Sequence, residues 1–305
     1  MNYLLMGGGG FIGSNLCQQL LLEHSNHIKV YDRNRTDDHD SRVGFIQGDF
    51  FQDNSFDRIL VNIDIVVHLI STTTPATPFE YISRDIIENI LPTINLLDSC
   101  VKAGVKKIVF LSSGGAIYGD YQHRPYQEGD LCMPISAYGI QKVAIEYYLS
   151  LYKRLRGLNF TSLRLSNPFG PGQRPNTGQG AVATFAKNII DGVPIKIYGD
   201  GDIVRDYIYI LDAVKMITKL LNTETEFSVF NIGSGKGRTL LRLIRDLEKV
   251  MNKDAEIIFL PARETDVKYS VLNISRYREL IDPAWTENYH EGLERTVEYL
   301  KEIQY

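Results

Sequence analysis

Tyr138 and Lys142 stand four residues apart in Tyr138-Gly-Ile-Gln-Lys142, a stretch that opens an amphipathic helix predicted to run to about residue 156. Residues at i and i+4 share one helix face. A phenol with its ordinary pKa near 10 is a poor base at neutral pH, but an ammonium one turn away favours the phenolate. The pair suits moving a proton on or off a substrate hydroxyl. Such a spacing also arises by chance on amphipathic helices, so its meaning depends on what precedes it.

What precedes it is Gly7-Gly8-Gly9-Gly10-Phe11-Ile12-Gly13, glycines at G-x-x-G-x-x-G between the apolar run 3–6 and a predicted helix over 14–22. Without Cβ atoms, Gly7 and Gly10 let the backbone turn tightly and approach a pyrophosphate at a helix N-terminus, and Gly13 lets that helix pack close to the sheet. The second apolar run ends at Asp32, placed to accept hydrogen bonds from a ribose diol. A carboxylate there repels a 2′-phosphate and favours NAD over NADP; the neighbouring Arg33 and Arg35 weigh the other way. Past the third run, Asp49 and the Phe50 backbone are candidates to hold an adenine; alternatively, Asp49 is an exposed turn residue.

These groups need a scaffold. Apolar runs at 3–6, 28–31, 44–47, 65–69, 107–111 and 159–165 alternate with helix-like stretches, the rhythm of a parallel sheet with crossover helices. The predicted fold class is α/β: a Rossmann-type doubly wound parallel sheet over 1–165, then a smaller C-terminal α/β substrate lobe over 166–305, some of whose segments return to the first domain. The lobe opens on the turn-rich stretch 167–180. Helices are predicted at 182–191, 211–221, 239–251 and 289–301, and strands at 206–210 and 229–232.

Composition narrows the partners. The 305 residues carry a net charge of −4 with no basic run, which argues against nucleic acid. Cys17, Cys100 and Cys132 show no metal-ligand spacing and suit a reducing compartment. The first apolar run meets glycine at once, leaving no room for a signal peptide, and no apolar stretch reaches the roughly 18 residues of a membrane span. A cytoplasmic protein is expected.

Read together, the glycine turn, Ser112-Ser113-Gly-Gly-Ala-Ile-Tyr118-Gly, Tyr138-x-x-x-Lys142, Asn167-Pro-Phe-Gly-Pro-Gly and Arg205-Asp-Tyr-Ile-Tyr make the chain resemble a nucleotide-sugar 4-epimerase of the UDP-galactose 4-epimerase type, within the extended short-chain dehydrogenases/reductases. The resemblance implies bound NAD, a 4-keto sugar intermediate that rotates in the site, and no net redox change. It places Phe11, Ile12, Leu69, Ile70 and Ser71 along the cofactor, with Asn89, Ser112, Tyr138, Lys142 and Pro168. The family hydroxyl four residues before the Tyr of the Tyr-Gly pair falls on Gly114, so Ser113 is the candidate third catalytic group. The acidic residues that dehydratases carry before that Tyr are replaced by Gly115, Ala116 and Ile117.

For the substrate, the resemblance implies a diphosphate clamp from Arg205 and Arg263, with Asn167, Val182, Tyr198 and Asp266 alongside. Seven residues past Arg263 stands Ser270, at the family's gate beside the sugar C2 substituent. A small side chain there admits N-acetyl groups, so UDP-N-acetylglucosamine and UDP-N-acetylgalactosamine are expected substrates, with UDP-glucose and UDP-galactose beside them. A homodimer is expected through a four-helix bundle of helices 88–103 and 137–156, with Leu91, Ile94, Leu97, Ile145, Tyr148, Leu149 and Tyr152 either at that interface or in the subunit core. Two other readings stay open: a different nucleotide-sugar enzyme (a reductase, a dehydratase or a uronate epimerase) and a non-catalytic NAD-binding regulator.

Overall fold

The computed structural model describes residues 1–303 apart from 35–39, 54, 176–178 and 263–266. In chain order the elements are β1 (Asn2–Met6), α1 (Phe11–Leu21), β2 (His27–Asp32), β3 (Val43–Gln47), β4 (Ile65–His68), a π-helical turn (Asp85–Ile90) leading into α2 (Leu91–Ala103), β5 (Lys107–Ser113), α3 (Gly114–Ile117), α4 (Ala137–Arg156) and β6 (Asn159–Leu165). Then come β7 (Asn167–Phe169), α5 (Ala181–Asp191), β8 (Ile195–Tyr198), β9 (Val204–Tyr209), α6 (Ile210–Leu221), β10 (Val229–Ile232) and β11 (Gly237–Thr239). The chain continues through α7 (Leu240–Met251), β12 (Ile257–Leu260), β13 (Tyr269–Ser270), α8 (Ser275–Leu280) and α9 (Tyr289–Glu302). No helix among the described residues is long and apolar enough to cross a membrane.

Two compact units interleave along the chain. One is Met1–Ile117, Pro134–Arg164 and Val214–Phe230; the other is Tyr118–Met133, Leu165–Ala213 and Asn231–Tyr305. The sequence places the boundary after residue 165 with later segments returning to the first domain; here 214–230 groups with the earlier unit, and 118–133 groups with the later one.

The first unit carries a seven-stranded sheet in the order β10-β6-β5-β4-β1-β2-β3, and its β1–β2, β1–β4, β2–β3 and β4–β5 pairs are parallel. This is the Rossmann-type α/β fold the sequence predicts. The central strands read as unbroken apolar runs because helices cover both faces; every residue of β4 is buried. β3, at the edge, is only half-buried. Strand order reverses between β1 and β4, and the crevice beyond their carboxyl ends is where such sheets bind ligands. Gly7 leaves β1 and Leu69 leaves β4 at that point.

Helix α4 explains how the chemistry-bearing residues are aimed. Ser136 caps it by accepting from Gly139 N at 3.1 Å, while Lys153, Arg154 and Arg156 complement the dipole in its last turn. Its inward face holds Gly139, Gln141, Lys142, Ile145, Glu146 and Leu149. Ile145 and Leu149 join Leu96, Leu97 and Cys100 of α2 in the core, each large aliphatic side chain contributing about 1.5–3 kcal/mol. Leu97, Ile145 and Leu149 therefore take the core alternative rather than the interface. The outward stripe is instead Ile140, Tyr147, Tyr148, Leu151 and Leu155, with Leu91 exposed on α2.

In the second unit β9 is the axis. It pairs antiparallel with β11 and parallel with β13 and β7, while β8 and β12 form a separate parallel pair. Helices α5, α7 and α9 pack on one another beside it, and the rings of Phe169, Tyr209 and Tyr289 fill the space between.

Candidate active site

The glycine turn is built for close approach. Gly7, at φ +84°, donates to Tyr31 O at 2.8 Å, and Gly10 N returns to Gly7 O at 3.2 Å. A Cβ on Gly13 would sit 2.5 Å from Gly7 O and 2.6 Å from Gly8 Cα, so any side chain there would push α1 off the turn. The first amides of α1, those of Phe11, Ile12 and Gly13, thus end beside the loop and leave an anion site at a positive helix terminus. Asp32 closes the arrangement: its Oδ2 accepts from Gly9 N at 3.0 Å and its Oδ1 from Asn34 N at 3.2 Å. Each oxygen keeps a lone pair for a further donor. Arg33 is exposed next to it, and Arg35 lies outside the described residues.

Residues assigned to the cofactor divide in the structure. The Phe50 ring is core, 5.5 Å from Phe56 and 5.0 Å from His68 between centroids, which leaves only its backbone for an adenine. Asp49 accepts from Phe51 N at 3.1 Å and Gln52 Nε2 at 3.3 Å, making it a turn residue as well. Leu69 and Ile70 are half-buried, and Ser71 donates to Thr73 O at 3.0 Å. Asn89 braces the loop after β4, accepting from Thr72 N at 2.9 Å and donating to Thr72 Oγ1 at 2.8 Å. Ser112 Oγ is buried with no partner among the described residues.

Three groups converge at the start of α4. A Cβ on Gly139 would lie 2.5 Å from Ala116 O and 2.8 Å from Pro134 Cβ, so glycine here lets α4 press against α3. That approach sets Tyr138 against the end of β5, where Ser113 comes within reach of its hydroxyl. Lys142, 2% exposed, donates from Nζ to Leu111 O at 3.0 Å and lies 5.5 Å from the Tyr138 ring centroid. Burial pushes the Tyr138 phenol up to about 12, against the Ser113 hydrogen bond. Burial also pushes Lys142 down to about 7, opposed by the carboxylates of Glu146 and Asp85. At both groups desolvation outweighs the neighbouring charges and favours the neutral form. His68 is pushed down to about 3 by burial and by Lys142, and so stays neutral.

Sequence reasoning missed the acids behind this pair. Glu146 sits one turn beyond Lys142, bound to Arg164 Nη2 at 2.7 Å and accepting from Ser162 Oγ at 2.9 Å. Asp85 is buried in the π-helical turn and accepts from Thr73 Oγ1. An acid read alone in a sequence looks like a solvated surface charge; only packing shows it inside.

In the second unit the proposed substrate residues gather along β9. Asn167 Nδ2 donates to Asp206 O at 2.9 Å, and Pro168 O accepts from Gln173 Nε2 at 3.0 Å. Half-buried Arg205 stands opposite Ser270, itself 4% exposed, in the β9–β13 register. Val182 is core within α5, and half-buried Tyr198 closes β8, apart from that cluster in the pairing. Arg263 and Asp266 lie outside the described residues.

Residues 3–233 match the NAD dependent epimerase/dehydratase family. The chain belongs to that family. Dehydrogenase-type cofactor chemistry follows from membership, and NAD is the cofactor. Among related proteins, the epimerase/dehydratase-family chain is 38% identical over 216 residues to a dTDP-4-dehydro-6-deoxyglucose reductase of Escherichia coli, covering 70% of this chain and 68% of the relative. It superposes on a UDP-glucose 4-epimerase of Thermotoga maritima, solved with UDP-glucose, at a TM-score of 0.91 and 34% identity over 99% of each chain. A UDP-glucose 4-epimerase of Thermus thermophilus, solved with NAD, gives a TM-score of 0.90 at 30% identity, again over 99% of each.

The family cofactor fits the residues present. Gly13 lets α1 close on the Gly7–Gly8 turn so that its first amides are presented there, the Asp32 carboxylate stands at the end of β2, and Ser112 Oγ is buried without a partner among the described residues. With one of its three protons on Leu111 O, Lys142 has two left to donate.

Proposed function

We propose that this chain is a 4-epimerase of UDP-hexoses, acting on UDP-N-acetylglucosamine and UDP-N-acetylgalactosamine and also on UDP-glucose and UDP-galactose. The observation that carries the reading is Tyr138 with Ser113 beside its hydroxyl and Lys142 one turn further on, anchored on Leu111 O, in a chain of this family. NAD, when bound, supplies the hydride acceptor and then the donor at sugar C4. Tyr138 takes the proton of the 4-hydroxyl and gives it back, and Ser113 shares that oxygen by hydrogen bond. Lys142, fixed on Leu111 O one turn along α4, favours the phenolate in its protonated form and works against the burial that holds the phenol up. Gly114 carries no hydroxyl, and Ser113 takes its place because it is the side chain that meets Tyr138.

In the second unit, Arg205 and Asn167 serve the diphosphate, together with Arg263, and Ser270 leaves space for the acetamido group. We also assign the exposed stripe of α4, from Ile140 through Tyr147 and Leu151 to Leu155, with Leu91 of α2, to a twofold interface with a second copy of the chain.

The test is to incubate the purified protein separately with UDP-glucose, UDP-N-acetylglucosamine and UDP-glucuronate and to resolve the sugars. Epimers from the first two are expected, with no net change in nicotinamide absorbance. No epimer from any of the three overturns the reading. A second reading, reduction of a 4-keto sugar nucleotide, is favoured by the identity to the dTDP-4-dehydro-6-deoxyglucose reductase. Stoichiometric oxidation of added reduced cofactor on a dTDP-4-keto-6-deoxy sugar, without epimerisation of UDP-hexoses, selects it.

A further inference from the structure

One buried acid close to the reacting pair has no part in the chemistry above. Asp85 lies in the π-helical turn, a rare geometry often found at functional sites, and is 4% exposed. Its Oδ1 accepts from Thr73 Oγ1, which lies 3.2 Å from the side-chain amide oxygen of Gln141. Gln141 is the residue next to Lys142 on α4, 1% exposed. Thr73 therefore ties the acid to the stretch of helix that carries both reacting groups. Asp85 Oδ2 and Gln141 Nε2 are buried without partners among the described residues. Burial pushes the Asp85 carboxyl up, and the Thr73 hydrogen bond and the nearby Arg84 favour its charged form against that; once ionised, its field acts on what surrounds it with little screening.

We propose that Asp85, held by Thr73, is the counter-charge of the Tyr138–Lys142 pair and sets the pH window in which the pair works. It is a positioning residue, acting on the pair through its charge and through Thr73. Arg84 and Glu88 flank it on its own turn, paired with each other at 2.8 Å, and α4, which carries Tyr138 and Lys142, packs against that turn. Lys142 also feels Glu146, whose charge is committed to Arg164, and His68 of β4, which is neutral. Among the described residues Asp85 is therefore the acid near the pair that is not locked in an ion pair, and its charge opposes the burial that strips the lysine of its proton. The same charge holds the Tyr138 phenol up.

Removing it should lower both titrations together. Asp85→Asn is expected to move the acid and alkaline limbs of the kcat/KM profile to lower pH by about half a unit or more, with the maximum largely kept. Thr73→Val, which takes away the hydrogen bond favouring the charged carboxylate, should shift them the same way by less, and Asp85→Glu should restore them. The inference rests on the epimerase reading for its kinetic arm only. Its second arm needs no turnover: the near-ultraviolet phenolate titration of each protein, minus that of its Tyr138→Phe counterpart, isolates the midpoint of Tyr138. A lower midpoint in Asp85→Asn or Thr73→Val supports the counter-charge even where no sugar is turned over. An unchanged midpoint in either folded variant, or a drop in the maximum without movement of the limbs, overturns it.

Discussion

Two buried aspartates, one in each compact unit, are satisfied in opposite ways. Asp206 on β9 is fully enclosed and accepts from Ser234 N at 2.8 Å, Ser234 Oγ at 2.7 Å, Gly235 N at 3.1 Å and Leu272 N at 3.3 Å. Among the described residues Asp85 accepts from Thr73 and its second oxygen has no partner. Burial pushes both carboxyls up, but at Asp206 four donors oppose it. A saturated carboxylate is spent on architecture, here tying the loop at 234–235 and the strand end at 272 to β9. An unsaturated one leaves its field for its neighbours. The first unit thus concentrates reactive electrostatics, and the second fixed geometry.

The largest expected effect breaks the comparison if it fails. Tyr138→Phe should lower kcat by about 10²–10⁴-fold while leaving the urea unfolding midpoint where it was, because the ring stays and only the proton carrier goes. A matching loss of stability would mean that the site residue is also a structural one. Next in size is Asp206→Ala, which strands four buried or half-buried donors. A loss of about 3 kcal/mol or more is expected by denaturant titration. A change below about 1 kcal/mol would show that the four bonds are replaced by water and that β9 needs no such hub.

Ser270→Tyr sharpens the role of the second unit. If that unit contributes shape rather than chemistry, filling the position opposite Arg205 should reduce turnover of the N-acetylated sugars roughly ten- to a hundred-fold more than that of UDP-glucose. Equal losses on both sugar types would remove Ser270 as a selectivity residue.

How much of this was legible in the sequence follows the same divide. The six strands from β1 to β6 stand within about two residues of the apolar runs, since a doubly covered parallel sheet writes itself as continuous hydrophobic stretches. The glycine turn, Asp32, Tyr138 and Lys142 stand out as candidates in the sequence because the chemistry proposed for them depends on local spacing. Val229–Ile232 was recognised as a strand but not as the seventh of the large sheet, because pairing with β6 is non-local. Asp206 was passed over between Arg205 and Tyr207, and Asp85 and Glu146 were invisible, since a buried acid and a solvated one have the same letter. On α4, a 3.6-residue period marks an apolar stripe without saying whether Ile145 and Leu149 or Tyr147 and Leu151 meet the core. Packing against Leu96 and Leu97 decided it.

The smallest effect concerns the price of the reactive charge itself. Lys142 is 2% exposed and pushed down to about 7 by burial, while in the unfolded chain it titrates near its ordinary value of about 10.4. Between those two pH values the unfolded state binds more protons than the native one, so this group's contribution to stability rises with pH; below about pH 7 both states are protonated and the full penalty of burying the charge remains. Lys142→Met keeps an unbranched chain of similar length and removes the titration. The variant should be inactive, yet more stable than the wild type by about 1 kcal/mol or more near neutrality, with the advantage shrinking as pH rises towards 10. Urea midpoints of both proteins at about pH 6 and about pH 9 read the difference directly. A variant less stable at the lower pH, or a gain that ignores pH, would mean that Asp85 and Glu146 repay the lysine's desolvation in full, and the charge of the first unit would then be as structural as that of Asp206.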